Sequence, residues 1–386
     1  MKALVLAGGG ARGAYQIGVW KALDELGWKA DIVTGTSVGA LNAGLYALQK
    51  RTEAEDMWKN MKSEDVVDLP EGYSTSNTKD LIRAVAKTGG LDVSPLEHIV
   101  DEMLSEEALR TSPIKYGLVT VNVKTLKPKE LMLEEIPEGE ADEYMLASAA
   151  CFPAFKPRNI DGDIFIDGGY YDNMPINLAV RMGATEVLAV NLDSFGIAKK
   201  PKAKDIPVTY IESYWELGSF LRFSAEEMER SINLGYVDTM KVFGKAVGNF
   251  YAFAPEEAEK IINTLGTAYE NREVALSWLR PVLRTSLDVL LTLKDKKAET
   301  KEEKALLAVE IVAEHAKVPP TEIYTEQSFY KALKNTQNYK ECTYPLIKHF
   351  SGGITSSLAA ATAAAQPKEY LTELIFKALE TINTEE

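Results

Sequence analysis

The sequence predicts an α/β protein with a mainly parallel sheet, followed by a helical C-terminal region. Three observations carry this expectation. Two short apolar runs near the start, Lys2 to Ala7 (KALVLA) and Ala30 to Thr34 (ADIVT), each lead through a glycine-bearing turn into a helical stretch. Strand, turn and helix repeated in this order set two parallel strands side by side under helical cover. Further strand-like runs recur as far as Pro207 to Glu212, and no strand pattern is read beyond about residue 250.

The first turn is Gly8-Gly9-Gly10-Ala11-Arg12-Gly13, and Ala14 to Leu26 follows as a helix. The second is Gly35-Thr36-Ser37-Val38-Gly39, opening a helix from Val38 to Gln49. Residues 51 to 110 read as polar helices with breaks at Pro70-Glu71-Gly72 and Gly89-Gly90, which suits a cap over the sheet. Ser94 reads as an N-cap with Pro95 at the first helical position. Tyr116 to Val123 and Lys129 to Leu133 read as a hairpin joined around Lys127-Pro128.

Tyr144 to Pro157 reads as a small-residue helix stopped by Pro153, whose Phe152 and Phe155 suit either an apolar pocket or ordinary core packing. A strand ending in Asp167-Gly168-Gly169 leads through Tyr170 to Pro175 into another helix. Ala184 to Leu192 and Pro207 to Glu212 supply two more strands, and Ser224 to Ala246 a long amphipathic helix. In the C-terminal region Pro255 to Leu293, Lys301 to Lys317 and Tyr370 to Ile382 read as helices, with a solvated charged run from Lys294 to Lys304. The expected division is a catalytic domain over 1–248 and a helical region over 249–386, the latter of unassigned role.

Bulk properties exclude some partners. With 43 Lys and Arg against 57 Asp and Glu, the formal charge is −14. That argues against nucleic acid and against anchoring by a polybasic patch, while leaving weak hydrophobic contact with lipid open. The two cysteines, Cys151 and Cys342, form no disulfide framework, and the apolar run before the glycines is too short for a signal-peptide core. No stretch reaches the roughly 18 apolar residues of a membrane span. A cytoplasmic location is the expectation.

The chemistry begins at Ser37. G-x-S-x-G between a strand and a helix is the nucleophile-elbow pattern, in which Gly35 and Gly39 let strand and helix pass closely behind a strained serine. The helix N-terminus favours negative charge on the serine oxygen or its adduct. Gly8, Gly10 and Gly13 also fit G-x-G-x-x-G, the dinucleotide fingerprint. That reading wants an acidic residue at the end of the second strand, where Thr34 to Ser37 stand, with Asp31 at the strand's start instead. A nest of backbone N–H groups for an oxyanion is the better account of this loop.

Ser37 needs a base. A Ser37, Asp167 and His315 or His349 triad satisfies the α/β-hydrolase order, but that fold lays down several strands before its elbow. Here the elbow ends the second strand. The competing reading makes Asp167 the base, its proton affinity raised by burial at a strand end.

Three motifs in this order, Gly8 to Gly13, Gly35 to Gly39 and Asp167-Gly168-Gly169, resemble the patatin-like phospholipases. Ala147 to Pro153 and Asn173-Met174-Pro175 resemble that family's flanking blocks, and the likeness covers about residues 1 to 245. The resemblance implies a three-layer α/β/α fold and a Ser37-Asp167 dyad without histidine, acting on fatty-acyl esters of lipids with no metal or other cofactor. It implies an oxyanion hole in the Gly8–Gly13 loop, with donors from Gly9, Gly10 and Ala11 and with Arg12 bracing the loop or meeting a phosphate. Gly168, Gly169 and Asn173 would shape the turn after Asp167. A nucleotide-binding protein and a silent scaffold are the other function classes left by the sequence.

Overall fold

The structure, a computed structural model, describes residues 1–68, 83, 85, 87–266, 300–343 and 366–380. They form two compact units, Met1–Thr239 and Met240–Glu386.

The first unit is built on one eight-stranded sheet. Its strands are β1 (Lys2–Leu6), β2 (Ile32–Thr36), β3 (Lys115–Asn122), β4 (Lys127–Met132), β5 (Arg158–Ile160), β6 (Asp163–Asp167), β7 (Glu186–Val190) and β8 (Val208–Ile211). The order is β5-β6-β3-β2-β1-β7-β8, with β4 also paired to β3. Strands β3, β2, β1, β7 and β8 run parallel, whereas β4 and β6 are antiparallel to β3. The expected adjacency of the first two strands holds, with Leu6 in register with Gly35. Both turns therefore leave the same end of the sheet.

Helices α1 (Ala14–Glu25), α2 (Val38–Ala47), α3 (Arg51–Asn60), α4 (Ser94–Met103), α5 (Glu106–Thr111), α6 (Ala141–Ser148), α7 (Ile176–Arg181) and α8 (Ala225–Val242) complete this part of the chain. Side chains alternate across β2 as strand geometry requires. Thr34 and Thr36 donate hydroxyl bonds to the carbonyls of Pro175 and Asp172 before α7, while Gly35 lies against Gly39 of α2. The sheet is thus sandwiched between helices, the three-layer arrangement anticipated above.

Three local expectations are corrected. The β3–β4 turn falls at 123–126, and Pro128 lies within β4 opposite Val121; β4 pairs with β3 alone, and an edge strand tolerates a residue without an N–H. Helix α6 ends at Ser148, five residues before Pro153, and the chain turns through Ala149 to Phe155 by bonds such as Phe155 N–H to Cys151 O. Ser94 is itself the first residue of α4, after Val93, and its hydroxyl donates to Asp92 instead of capping.

The second unit contains helices Pro255–Ile261, Lys301–His315, Glu326–Asn335, Gln337–Lys340 and Pro367–Leu379. It also holds two short parallel strands, Ala252–Phe253 and Ile323–Tyr324, that sequence reading missed; two residues are too few to carry a periodicity. Phe253, Tyr324 and Phe329 stack edge-on there. The carboxylate of buried Glu310 accepts the backbone N–H groups of Asn249, Phe250 and Tyr251 at 2.6, 2.8 and 3.0 Å, pinning that turn. The breaks at 70–72, the helical expectation over 267–293, His349 and part of the charged run lie outside the described residues.

Candidate active site

Ser37 stands between β2 and α2 with φ 56° and ψ −132°. A serine at positive φ is strained by on the order of 1–3 kcal/mol and persists only where its surroundings dictate it. Here the glycines dictate it. A Cβ on Gly35 would lie 2.1 Å from the Gly39 carbonyl oxygen, and one on Gly39 would lie 2.2 Å from that of Leu6. The Ser37 N–H donates to the Ser148 hydroxyl at 2.9 Å, and that hydroxyl donates to the Val119 carbonyl at 2.7 Å. Ser148 is fully buried.

Asp167 ends β6, whose pairing with β3 sets Asp167 opposite Thr120. The residue is 5% exposed. Burial pushes the carboxyl up from the ordinary 3.8 to about 6, against the Gly169 N–H (2.7 Å) and the Ser37 side chain, whose hydrogen bonding favours the charged form. The two residues are brought together. The neighbouring Cys151 thiol is pushed up to about 12, first by burial and then by the Asp167 charge, so it stays protonated at neutral pH.

The glycine loop passes directly behind Ser37. A Cβ on Gly8 would come within 2.9 Å of the Ser37 Cβ. Gly8 N–H donates to Asn173 O at 3.1 Å, and Ala11 N–H to Phe220 O at 2.9 Å. Ala11, expected among the oxyanion donors, is thus engaged by Phe220. Among the described residues, the N–H groups of Gly9 and Gly10 meet no protein acceptor. Gly10 has φ +56°, and a Cβ there would strike the Phe220 carbonyl oxygen at 2.1 Å.

Arg12 braces the loop: its guanidinium donates to the carbonyls of Gly218 (2.9 Å), Leu192 (3.2 Å) and Asp193. Gly13 closes the loop and its carbonyl accepts Asn42 Nδ2 at 3.1 Å. Asn173 sends Nδ2 to the Gly8 carbonyl (3.3 Å) and to Ser194 Oγ (3.0 Å), tying the turn after Asp167 to the glycine loop. Gly168 and Gly169 form that turn as a short 3-10 segment.

Sequence reasoning missed several supports. Besides Ser148, buried Gln16 donates to Ala7 O (2.7 Å) and accepts Asn42 Nδ2 (2.8 Å), and Trp58 of α3 donates to Asn42 Oδ1 (3.0 Å). This network joins both ends of the glycine loop to α2 and α3. Asp172 is fully buried and pushed up to about 6 by that burial; its Oδ1 accepts the Lys199 N–H at 3.2 Å, and its Oδ2 has no partner among the described residues. Nothing in the residue types alone singles these out from ordinary polar positions.

Ser37, Asp167, Gly9 and Gly10 all line one cavity of about 1250 Å³. Its remaining wall is chiefly apolar, with Leu41 and Leu45 of α2, Trp58 of α3, Leu96 and Ile99 of α4, and Phe155. Among the described residues of the 51–110 stretch, Trp58, Met61, Leu96 and Ile99 line the cavity, and so do both Phe152 and Phe155. No histidine among the described residues lines this cavity. His98 is exposed on α4, and His315 ends a helix of the second unit.

A parallel sheet whose second strand delivers a strained serine to a helix N-terminus, beside a glycine loop and a buried carboxylate, defines a nucleophile-elbow α/β protein. Within that class, residues 4–180 match the family model described as patatin-like phospholipase. The resemblance read from the motifs is borne out. Among relatives, patatin-like phospholipase domain-containing protein 6 of Homo sapiens is 30% identical over 203 residues, covering 50% of this chain and 13% of the relative. Lysophospholipase NTE1 of Mycosarcoma maydis is 30% identical over 205 residues, covering 50% of this chain and 10% of the relative. The chain thus matches only a small part of the length of these relatives. Among solved structures, VipD from Legionella pneumophila shares 14% identity at a TM-score of 0.41, covering 98% of this chain and 91% of that one.

Proposed function

We propose that this protein is a serine acyl hydrolase that cleaves fatty-acyl esters of phospholipids or lysophospholipids through Ser37 and Asp167. The observation that carries the reading is the strained Ser37 beside the buried Asp167 in the wall of a large apolar cavity. A single acyl chain fits such a cavity by burial of its methylenes, each contributing about 0.8 kcal/mol. The relatives named as phospholipases and a lysophospholipase point to the same substrate class.

In this mechanism Ser37 Oγ attacks the acyl carbonyl carbon while its proton passes to the Asp167 carboxylate. The developing oxyanion turns toward the N–H groups of Gly9 and Gly10 and the N-terminus of α2. Collapse breaks the ester bond, and the leaving alcohol takes the proton from Asp167. Water then adds to the acyl-Ser37 carbonyl with Asp167 as base, releasing the fatty acid. A carboxylate whose proton affinity lies near pH 6 is a better base than an exposed one near 4.

The test is fluorophosphonate labelling of the purified chain, with fatty-acid release from lysophosphatidylcholine and phosphatidylcholine measured alongside. Wild type labels and releases fatty acid, and Ser37→Ala does neither. An unlabelled wild type overturns the reading.

A further inference from the structure

An acidic chain carries an unexpected run of cations beside its cavity. Lys199, Lys200, Lys202 and Lys204 fall within six residues that hold no acid, in the connection between β7 and β8. Among the described residues none of the four forms an ion pair. Lys200, Lys202 and Lys204 are exposed, and the Lys199 ammonium lies over the Tyr171 ring.

The same loop presents apolar side chains to water. Phe195 is 92% exposed and Ile197 is 56% exposed, and both line the mouth of the cavity. Phe152, Tyr170 and Phe220, each at least 40% exposed, stand on the same rim. This is not a loose arm. Ile197 exchanges backbone bonds with Gly169 (2.9 Å) and Asn173 (2.7 Å), and Lys199 N–H is held by Asp172. Asn177, in the first turn of α7, bonds the backbone of Lys200 and Lys202 at 3.2 and 2.9 Å. The turn carrying Asp167, the N-terminus of α7 and the lysine loop therefore share one end of the sheet.

We infer that the 195–202 loop is an interfacial docking element that seats the cavity mouth on an anionic lipid bilayer. Phe195 and Ile197 enter the headgroup region while Lys199, Lys200 and Lys202 meet lipid phosphates and carboxylates. The inference rests on the lipid-hydrolase reading and adds where, and to which surface charge, the protein docks. Both ingredients are needed. A net charge of −14 repels an anionic surface unless a local cluster faces it, and exposed aromatics alone do not select lipid charge. Rigid backbone bonds to the Asp167 turn fix the docking loop at the cavity entrance, so a lipid drawn from the bilayer has a short path to Ser37.

The experiment is cosedimentation of the whole chain with vesicles of ether-linked lipids, which offer no acyl ester to cleave. Pure phosphatidylcholine vesicles are compared with vesicles containing about one third phosphatidylserine. Wild type binds the anionic vesicles more tightly, and added salt weakens that binding. Lys200→Ser/Lys202→Ser loses roughly five-fold per lysine on anionic vesicles while keeping wild-type hydrolysis of a short water-soluble ester. Phe195→Ser loses about ten-fold on the same vesicles. Equal binding of wild type to both vesicle types, or unchanged anionic binding by the double variant, overturns the docking role. Because binding is read without turnover, an unlabelled Ser37 beside intact vesicle binding overturns only the hydrolase.

Discussion

The Ser148 hydroxyl accepts the backbone N–H of Ser37 at 2.9 Å and donates its own hydrogen bond to Val119 O at 2.7 Å. One buried oxygen thus anchors the elbow to β3. Ser148→Ala leaves the Ser37 N–H unpaired and costs about 1–3 kcal/mol. The expected outcome is a lower denaturation midpoint and slower fluorophosphonate labelling, with Ser148→Thr recovering part of both. Labelling at the wild-type rate in Ser148→Ala would show that the elbow holds without this anchor.

Burial of the Asp167 carboxylate works against stability at neutral pH. Its carboxyl sits at about 6 in the folded chain against an ordinary 3.8, a difference of about 3 kcal/mol disfavouring the charged form. The sign follows from proton counting: the folded state holds the proton more tightly, so this contribution favours folding below about pH 4 and is lost as pH rises through about 6. Asp167→Asn removes the buried charge. It is expected to unfold at higher denaturant than wild type at pH 7.5, with labelling of Ser37 reduced by about 10² or more. Reduced stability together with retained labelling would contradict the assignment.

The same carboxyl is expected to set the pH profile. A base must be unprotonated to accept the serine proton, so labelling rates rise as pH increases through about 6 and level off above it. A rate profile measured between pH 4.5 and 8 in wild type checks this. An inflection that His98→Ala or His315→Ala abolishes would point to histidine as base.

The glycines flanking Ser37 are sterically required. Gly39→Ala places a methyl 2.2 Å from the Leu6 carbonyl oxygen, a backbone atom that cannot rotate aside. Overpacking of this kind costs about 1–3 kcal/mol, and the Ser37 geometry shifts with it. Chemical denaturation and labelling are both expected to fall. Gly27→Ala, with open space around it but φ +66°, affects stability alone.

Much of this was legible in the sequence because it is local. G-x-S-x-G, the glycine loop and Asp167-Gly168-Gly169 each concern a few adjacent residues at a strand end, and the order of strands and helices located those ends. Adjacency of β1 and β2 followed from the strand–helix–strand connection. The turn after β3 and the end of α6 were misplaced because β4's edge position and the turn from Ala149 to Phe155 depend on packing. Net charge likewise hid the lysines at 199–204, since a total says nothing of distribution.

Residue types and their spacing were enough to place Ser37, Asp167 and the glycine loop in a mainly parallel α/β domain and at one end of its sheet. How Asp167 is buried and how it meets Ser37 came from packing. Packing also decided that Phe220 takes the Ala11 N–H, that Ser148, Asn42 and Gln16 hold the loop and elbow, and that an apolar cavity opens beside them. The physical reason is range. Glycine turns and helix starts are set by backbone sterics within a few residues, whereas desolvation and hydrogen-bond partnership depend on groups over a hundred positions away in the chain, as Ser148 is from Ser37.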